Sequence, residues 1–234
     1  MRKVLVIDVG GTHVKVRAGA RAVSLPSGPR LTAKQMTRQV RNAIRGWDYE
    51  VVSIGFPGVV LHGKPASESR HLGGGWVGFN YQRAFGCPVR IINDAAMQAL
   101  GSYRGGRMLF LGLGTGLGTA LIVDGILESM ELGHLPYKKG RTYEDYVGKE
   151  GLKRLGTRKW RRHVLDVVAQ LQAALEVEDV VLGGGNAKLI ERLPPRVRRG
   201  DNSHAQLGGE RMWQRFRPKQ RRGSAATLPA SRYP

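Results

Sequence analysis

Two short glycine turns next to predicted strands are the features of this sequence best suited to chemistry. Glycine lets backbone N–H groups approach phosphate oxygens closely, and a threonine hydroxyl can add a donor. The first turn is not a Walker loop, because no Gly-Lys-Ser/Thr follows it, and it leads into a strand rather than a dinucleotide-binding helix. Phosphate binding and an ordinary glycine hairpin both remain open for each turn. The candidate phosphate-binding residues here are Asp8, Gly10, Gly11, Thr12, Gly114, Thr115, Gly116 and Gly118.

A third glycine run lies between a predicted strand and a helix expected to extend through Ile190. Backbone without side chains lets a flat group lie against the chain, and a helix N-terminus favours anions. Taken alone, the run is equally a tight strand-to-helix turn. Its residues are Gly183, Gly184, Gly185 and Asn186.

Alternating strands and helices in the first half predict a layered sheet. A buried run from Lys3 to Val9, a turn and a second run from Val14 to Arg17 indicate a hairpin. Apolar residues at helical spacing predict a helix within 31–46, with Thr32 as a cap. The remaining predictions here are a strand at Val51–Phe56, a helix at Tyr81–Phe85, a strand at Val89–Ile92 and a helix at Ala95–Tyr103.

The second half repeats the strand-turn-strand pattern, which suggests two similar α/β lobes. We expect a first lobe over 1–103, a second over 104–217 with one docked helix within Ala205–Phe216, and a basic, disordered segment over 218–234. The elements predicted in the second lobe are strands Met108–Leu113 and Thr119–Val123, helices Tyr143–Leu155 and Trp160–Leu175, and strand Asp179–Leu182.

Composition limits the classes of protein to consider. The 234 residues are 41% hydrophobic, which is enough for a sizeable core, and no run approaches the ~20 apolar residues of a membrane span. The first apolar run, Val4 to Ile7, is too short for a signal peptide and ends at an acidic residue, Asp8. The single cysteine, Cys87, cannot form an internal disulfide, which fits a reducing, cytoplasmic setting. The net charge of +20 predicts attraction to nucleic acid, anionic lipid or polyphosphate without choosing among them; a solvated basic tail is the plainer reading.

An ordered series of motifs between residues 3 and 190 resembles the ROK sugar kinases. The series is Asp-x-Gly-Gly-Thr, Gly-x-Pro-Gly, Asn-Asp-Ala, Gly-Thr-Gly-x-Gly, Glu-x-Gly-His and Gly-Gly-Gly. The segment from Glu131 to Gly148 looks most like the polyphosphate or ATP-dependent glucokinases within that family. The resemblance implies the two-lobed, actin-like (ribonuclease H-like) ATPase fold, with nucleotide and sugar meeting in the cleft between the lobes.

The resemblance also assigns roles to residues. Asp94 would be the catalytic base that takes the proton of the sugar 6-hydroxyl. The residues that would bind the sugar are Asn93, Asp94, Glu131, His134 and Glu144. Without the resemblance, Asn93 and Asp94 would be read as a turn or helix cap, and the others as a surface loop.

The resemblance further implies how the phosphoryl donor is held. Asp8 would act on Mg²⁺ through water, Thr12 and Thr115 would face the transferred phosphoryl group, and Gly183–Asn186 would lie on the adenosine side. Lys15 matches a basic position that the family has after the first phosphate turn, and it is equally well explained as an outward-facing lysine of a strand. Many family members carry a Cys-x-Cys-Gly-x-x-Gly-Cys zinc cluster after the histidine, whereas this chain has no cysteine there. We therefore expect no zinc and a loop ordered by packing instead.

These observations predict a hexose kinase that phosphorylates the 6-hydroxyl of glucose or a related hexose from ATP, polyphosphate or both, with Mg²⁺. The alternatives are a sugar-sensing regulator and a catalytically inactive polyanion-binding protein on the same fold. The fold begins near residue 3, which leaves no room for N-terminal DNA-binding helices, so nucleic acid is an unlikely partner. A homodimer is suggested only by analogy with the family.

Overall fold

The computed structural model describes residues 2–201 and 203–214. Two five-stranded mixed sheets with flanking helices account for most of this part of the chain, which confirms the α/β prediction. The segment 218–234 and the end of the second predicted lobe lie outside the described residues. No helix in the described part is long and apolar enough to cross a membrane.

The first sheet has the strand order β3-β2-β1-β4-β7. Its hairpin strands β1, β2 and β3 pair antiparallel, whereas β1, β4 and β7 run parallel. The elements of this half are β1 Val4–Val9, β2 His13–Ala18, β3 Arg21–Pro26, α1 Ala33–Ala43, β4 Val51–Phe56, β5 Val60–Leu61, β6 Lys64–Pro65, α2 Tyr81–Phe85, β7 Val89–Asn93 and α3 Asp94–Ser102.

The second sheet has the order β10-β9-β8-β13-β14 and repeats the same plan, with an antiparallel hairpin next to parallel strands. Its elements are β8 Arg107–Leu113, β9 Leu117–Val123, β10 Ile126–Met130, β11 Pro136–Lys138, β12 Arg141–Thr142, α4 Tyr143–Val147, α5 Lys149–Ala174, β13 Asp179–Gly183, β14 Val197–Arg199 and α6 His204–Arg211. Helix α5 is interrupted at Gly156, within the gap that the sequence left between its two predicted helices.

Strand β1 separates two layers of the first half. Leu5 and Ile7 pack on the side of helix α1, whereas Val4 and Val6 pack with residues of α3 and α6 on the other side. Because side chains alternate along a strand, Asp8 shares the face of Val4 and Val6. Its carboxylate is therefore on the same side of the sheet as α3.

The capping of α1 agrees with the sequence. Thr32 accepts a hydrogen bond from the Gln35 backbone, and the Gln35 side chain accepts one from Thr32 in return, which forms a capping box. One helix prediction is wrong: the run Gly183–Gly185 does not open an α-helix. Only a single turn of 3-10 helix follows it, at Ala187–Leu189.

Helix α6 packs against α3 and β1, so the chain returns to the first half after the second sheet. Glycines allow this close approach, because a Cβ on Gly208 would lie 1.8 Å from the Met97 carbonyl oxygen. The helix lies within the predicted Ala205–Phe216 segment over most of its length. The predicted boundary between lobes at residue 103 stays a prediction.

Candidate active site

The carboxyl ends of three parallel strands bring the first group of candidate residues together. In the pairing register Asp8 is opposite Gly55, and Phe56 is opposite Asn93. Ligands of α/β sheets bind at such ends, where the strands stop and the loops begin. Asp8, the Gly-x-Pro-Gly turn and the Asn-Asp pair consequently meet at one edge.

Asn93 caps helix α3 and holds the neighbouring turn. Its side-chain oxygen accepts hydrogen bonds from the Ala95 and Ala96 backbone at 2.9 and 3.2 Å. Its amide nitrogen donates to the Gly58 carbonyl at 3.1 Å. The helix-cap interpretation is therefore correct for this side chain, and the second N–H of its amide is left over for a ligand.

Asp94 is the first residue of α3, and its carboxylate has a strongly raised pKa. One carboxylate oxygen accepts a hydrogen bond from the Ala95 backbone at 2.8 Å. Burial raises the pKa of Asp94 to about 7, and the charges of Asp8 and Glu131 add to this, whereas backbone hydrogen bonds oppose it. A carboxylate with a pKa near neutrality is well suited to act as a general base.

Asp8 stands across the strand pair from Lys15. Burial raises the pKa of Asp8, and the nearby Lys15 ammonium lowers it in part. The Lys15 side chain is exposed, as expected of an outward-facing lysine. Asp8 and Asp94 are thus two desolvated carboxylates close enough for the charge of Asp8 to raise the pKa of Asp94.

The first glycine turn is tight and partly open. The Gly10 N–H donates to the His13 carbonyl at 2.9 Å, which closes the turn, and the Thr12 side chain is exposed. A Cβ on Gly11 would lie 3.3 Å from Cβ of His71. His71 could not be predicted as a neighbour of this turn, because only the tertiary fold brings its loop here.

The second glycine turn is in contact with the third glycine run. The Asn186 N–H of the third run donates to the Leu113 carbonyl at 3.0 Å. The second turn is also held from α5, because the Lys149 N–H donates to the Thr115 carbonyl at 3.1 Å. Gly184 has a φ of +79°, and a Cβ there would meet the Leu113 backbone, so only glycine fits. The prediction that a helix N-terminus at this run favours anions is wrong, since no α-helix begins there. The run still contacts the second glycine turn.

Helix α3 connects the two halves of the site. A Cβ on Gly118, in β9 just after the second turn, would lie 2.8 Å from Cβ of Ala95. Ala95 directly follows Asp94. The first turn of α3 therefore carries Asp94 and also contacts the strand that follows the second glycine turn.

The predicted sugar-binding residues divide into two groups. Glu144 accepts a hydrogen bond from the Leu117 N–H at 2.9 Å and lies against Gly116, so its carboxylate supports the second turn. Glu131 and His134 are exposed, and Glu131 lies close enough to Asp94 for its charge to raise the pKa of Asp94. Partial desolvation of its carboxylate raises the pKa of Glu131, the charge of Glu144 adds to this, and that of His134 lowers it.

Thr119 positions Glu131 and was not predicted to have a role. Its buried hydroxyl donates to the Met130 carbonyl at 2.6 Å and accepts from the Leu132 N–H at 3.1 Å. The two bonds hold the residues on either side of Glu131. A threonine in the glycine motif was visible in the sequence, but its partner in β10 was not.

A hairpin formed by β11 and β12 occupies the segment where family members carry the zinc cluster. The Tyr137 hydroxyl donates to the Asp166 carboxylate at 2.5 Å and lies 2.9 Å from His163 Nδ1. Lys138 also donates to Asp166, at 2.7 Å, and these bonds lower the pKa of Asp166 to about 2. Side chains of α5 therefore anchor the hairpin. Among residues 2–201 and 203–214, no group of three or more His, Cys, Asp or Glu side chains is placed to hold a metal ion.

Comparison with solved structures identifies the fold. No family model matches the chain. Two solved structures share the fold with TM-scores of 0.75: the inorganic polyphosphate/ATP-glucomannokinase of Arthrobacter sp. strain KM, at 23% identity, and a ROK family glucokinase of Streptomyces griseus in complex with glucose and AMPPNP, at 18%. They cover 89% and 90% of this chain, which covers 97% and 98% of theirs. The fold is therefore that of the actin-like ROK sugar kinases.

The sequence is also similar to proteins named polyphosphate glucokinase. The polyphosphate glucokinase of Mycobacterium tuberculosis is 25% identical over 222 residues, a match that covers 81% of this chain and 80% of that protein. The chain is thus homologous to polyphosphate glucokinases, which confirms the resemblance inferred from the motifs.

Proposed function

We propose that this protein is a hexose kinase that phosphorylates the 6-hydroxyl of glucose or a related hexose from ATP, inorganic polyphosphate or both. The observation that carries the proposal is Asp94: a desolvated carboxylate with a pKa near 7 at the start of α3, between the two glycine turns and beside Glu131. Homology to polyphosphate glucokinases supports the same reaction.

Asp94 acts as the general base in this proposal. As the sugar 6-oxygen forms its bond to the terminal phosphorus, Asp94 accepts the hydroxyl proton, and the bond from phosphorus to the bridging oxygen of the donor breaks. The products are a hexose 6-phosphate and either ADP or a polyphosphate shortened by one unit. The Ala95 N–H holds the carboxylate in a fixed orientation for this step.

The sugar is held by groups around the same helix. Asn93 offers its free amide N–H, and Glu131 and His134 offer exposed acceptors and donors for adjacent hydroxyls. Glu144 contributes mainly by fixing the second turn, because its carboxylate accepts from the Leu117 N–H. Thr119 positions Glu131 through the neighbouring backbone.

The donor phosphates are placed between the two glycine turns, with Thr12 and Thr115 facing the transferred group. The run Gly183–Asn186, which bonds to the strand before the second turn, would lie on the adenosine side when ATP is the donor. The Streptomyces griseus relative was crystallised with AMPPNP, whereas the Arthrobacter one is named for polyphosphate and ATP. Both donors are therefore part of the proposal.

Asp8 fits a role with Mg²⁺, because a desolvated carboxylate beside a phosphate turn is a hard oxygen ligand that lacks a full neutralising charge. Bound Mg²⁺ would offset the charge of the terminal phosphate. Asp8 would hold the ion through water, and the oxygen atoms of the donor phosphates would be available as further ligands. The absence of zinc stays a prediction.

The test is phosphorylation of glucose with ATP and with polyphosphate in parallel, with Mg²⁺, in the wild type, Asp94→Asn and Glu131→Gln. We expect Asp94→Asn to lower kcat by roughly 10²-fold or more with little change in glucose binding, because the base is lost. Glu131→Gln should mainly raise the KM for glucose.

An active Asp94→Asn protein would contradict the assigned base. No product from either donor, across a panel of hexoses, would favour the regulatory or inactive polyanion-binding alternatives. Those alternatives have less support, because the fold neighbours and homologues above are kinases by name.

A further inference from the structure

The outer face of helix α1 is a strip of positive charge. Four exposed cations at successive spacings of four, three and four residues lie on one side of α1 and of the turn that follows it, where Arg45 stands. They line a groove of about 520 Å³ that contains no acidic residue. The lining residues are Lys34, Thr37, Arg38, Arg41, Asn42, Arg45, Phe79 and Ala84.

Nothing in the described part of the chain neutralises this strip. None of its four cations forms an ion pair with a described carboxylate, and the sequence has no Asp or Glu between Asp8 and Asp48. Like charges three and four residues apart destabilise a helix. Packing does not require them, since the opposite face of α1 supplies the core with Met36 and Val40.

The N-terminal end of the groove leads toward the first phosphate turn. The Gly73 N–H donates to the Leu31 carbonyl at 3.0 Å, just before α1, and Gly73 lies against the Arg30 backbone. Two residues earlier in the same loop, His71 contacts Gly11. The exposed side chains of Arg30 and His71 therefore lie between the groove and the turn.

We propose that the α1 groove, defined by Lys34, Arg38, Arg41 and Arg45, docks a linear inorganic polyphosphate chain whose reacting end reaches the first phosphate turn. The inference rests on the proposed function and adds a binding surface for the donor outside the catalytic cleft. From Lys34 to Arg45 the cations extend over roughly 16 Å along α1 and the turn after it, which is too long for a single phosphate group and suits an extended polyanion.

Polyphosphate fits the groove better than nucleic acid does. Binding of single strands relies on aromatic rings for base stacking. The one ring in the groove, Phe79, is half-buried and packs edge-to-face on Tyr81 with ring centroids 4.8 Å apart. The groove thus offers charge without a free stacking surface, which matches a chain of phosphates without bases.

The first measurement is binding of long-chain polyphosphate to the full chain without sugar, over a range of salt concentrations. The groove variant is Arg38→Gln/Arg41→Gln/Arg45→Gln. The matched control, Arg158→Gln/Lys159→Gln/Arg162→Gln, removes the same charge from exposed positions on α5. We expect the groove variant to bind about tenfold more weakly at low salt and its log–log salt slope to fall by about 2, roughly 0.7 for each lost contact.

The second measurement is glucose phosphorylation by donors of increasing length. In the groove variant the KM for long-chain polyphosphate should rise, whereas the values for tripolyphosphate and ATP should change less than about twofold, because short donors do not reach the groove. Its melting temperature should be equal to or above that of the wild type, since like-charge repulsion is relieved.

Three results would overturn the proposal: equal losses in the groove and control variants, a defect independent of donor length, or tighter groove-dependent binding of single-stranded RNA or DNA of matched charge. The last would assign the groove to nucleic acid. Groove-dependent binding in a protein that phosphorylates no hexose would refute the proposed function while the docking site stands.

Discussion

At the scale of single residues, the raised pKa of Asp94 suits a general base and also makes the folded protein less stable at neutral pH. Burial and the charge of Asp8 raise its pKa from 3.8 to about 7. The folded protein therefore holds the Asp94 proton more tightly than the unfolded chain does. Stability from this group is fully present below the unfolded pKa and is lost as the pH rises through the folded pKa.

Asp94→Asn should therefore stabilise the protein in a pH-dependent way. At pH 4 the melting temperatures of variant and wild type should be similar, and at pH 8 the variant should be more stable by up to about 4 kcal/mol, at about 1.4 kcal/mol per pKa unit. In the wild type, kcat/KM should fall as the pH drops below about 7, because the base becomes protonated. Thermal unfolding and rate profiles over this pH range check both; a stability difference that is the same at pH 4 and 8 would contradict the shifted pKa.

At the scale of elements, helix caps and buried strands could be predicted, because they depend on residues close together in the sequence. Thr32 and Gln35 lie three residues apart, so their capping box could be read from the sequence, and the apolar run Val51–Phe56 is a strand as predicted. Strand β10 was missed because its side chains are mostly exposed or half-buried and it pairs only at an edge.

Contacts that depend on distant segments could not be predicted. The bond from the Leu117 N–H to Glu144 and those of Thr119 around Glu131 depend on how β9, β10 and α4 are arranged. Similarly, the glycines after β13 resemble a helix start, but they pack on the second turn instead. The residue types of the candidate site could be read from the sequence, whereas the different contacts of Glu131 and Glu144 depend on the fold.

The hairpin β11–β12 gives an element-scale prediction, because it lies between His134 and Glu144 and is anchored by the Tyr137 hydroxyl. Tyr137→Phe removes the bonds to Asp166 and His163. We expect the KM for glucose to rise several-fold with a smaller change in kcat, and stability to fall by about 1–3 kcal/mol.

Tyr103→Phe is the matched control for this prediction. It removes the Tyr103 hydroxyl bond to the Gly106 carbonyl, 2.9 Å long, at a site away from the hairpin. Steady-state kinetics and thermal unfolding compare the two variants. Equal effects of both on the KM for glucose would show that Tyr137 contributes only general stability.

At the scale of the whole molecule, the C-terminal part of the described chain ties the two sheets together through α6. This helix follows the second sheet, yet it packs on α3 and on β1 and β4 of the first. The hydroxyl of Ser53, buried in β4, donates to the Gly209 carbonyl at 2.6 Å. Because α3 carries Asp94 at its first residue, the packing of α6 also supports the helix that positions the proposed base.

Gly208→Ala tests this coupling. Its Cβ would lie 1.8 Å from the Met97 carbonyl oxygen, so α6 must move away from α3, and we expect a loss of stability of about 1–3 kcal/mol together with a lower kcat. Gly74→Ala is the control, since nothing lies within 4 Å of a Cβ there. Denaturant unfolding and kcat at a temperature where both variants are folded separate the two effects. A destabilised Gly208→Ala protein with unchanged kcat would mean that α6 holds the fold together without positioning Asp94.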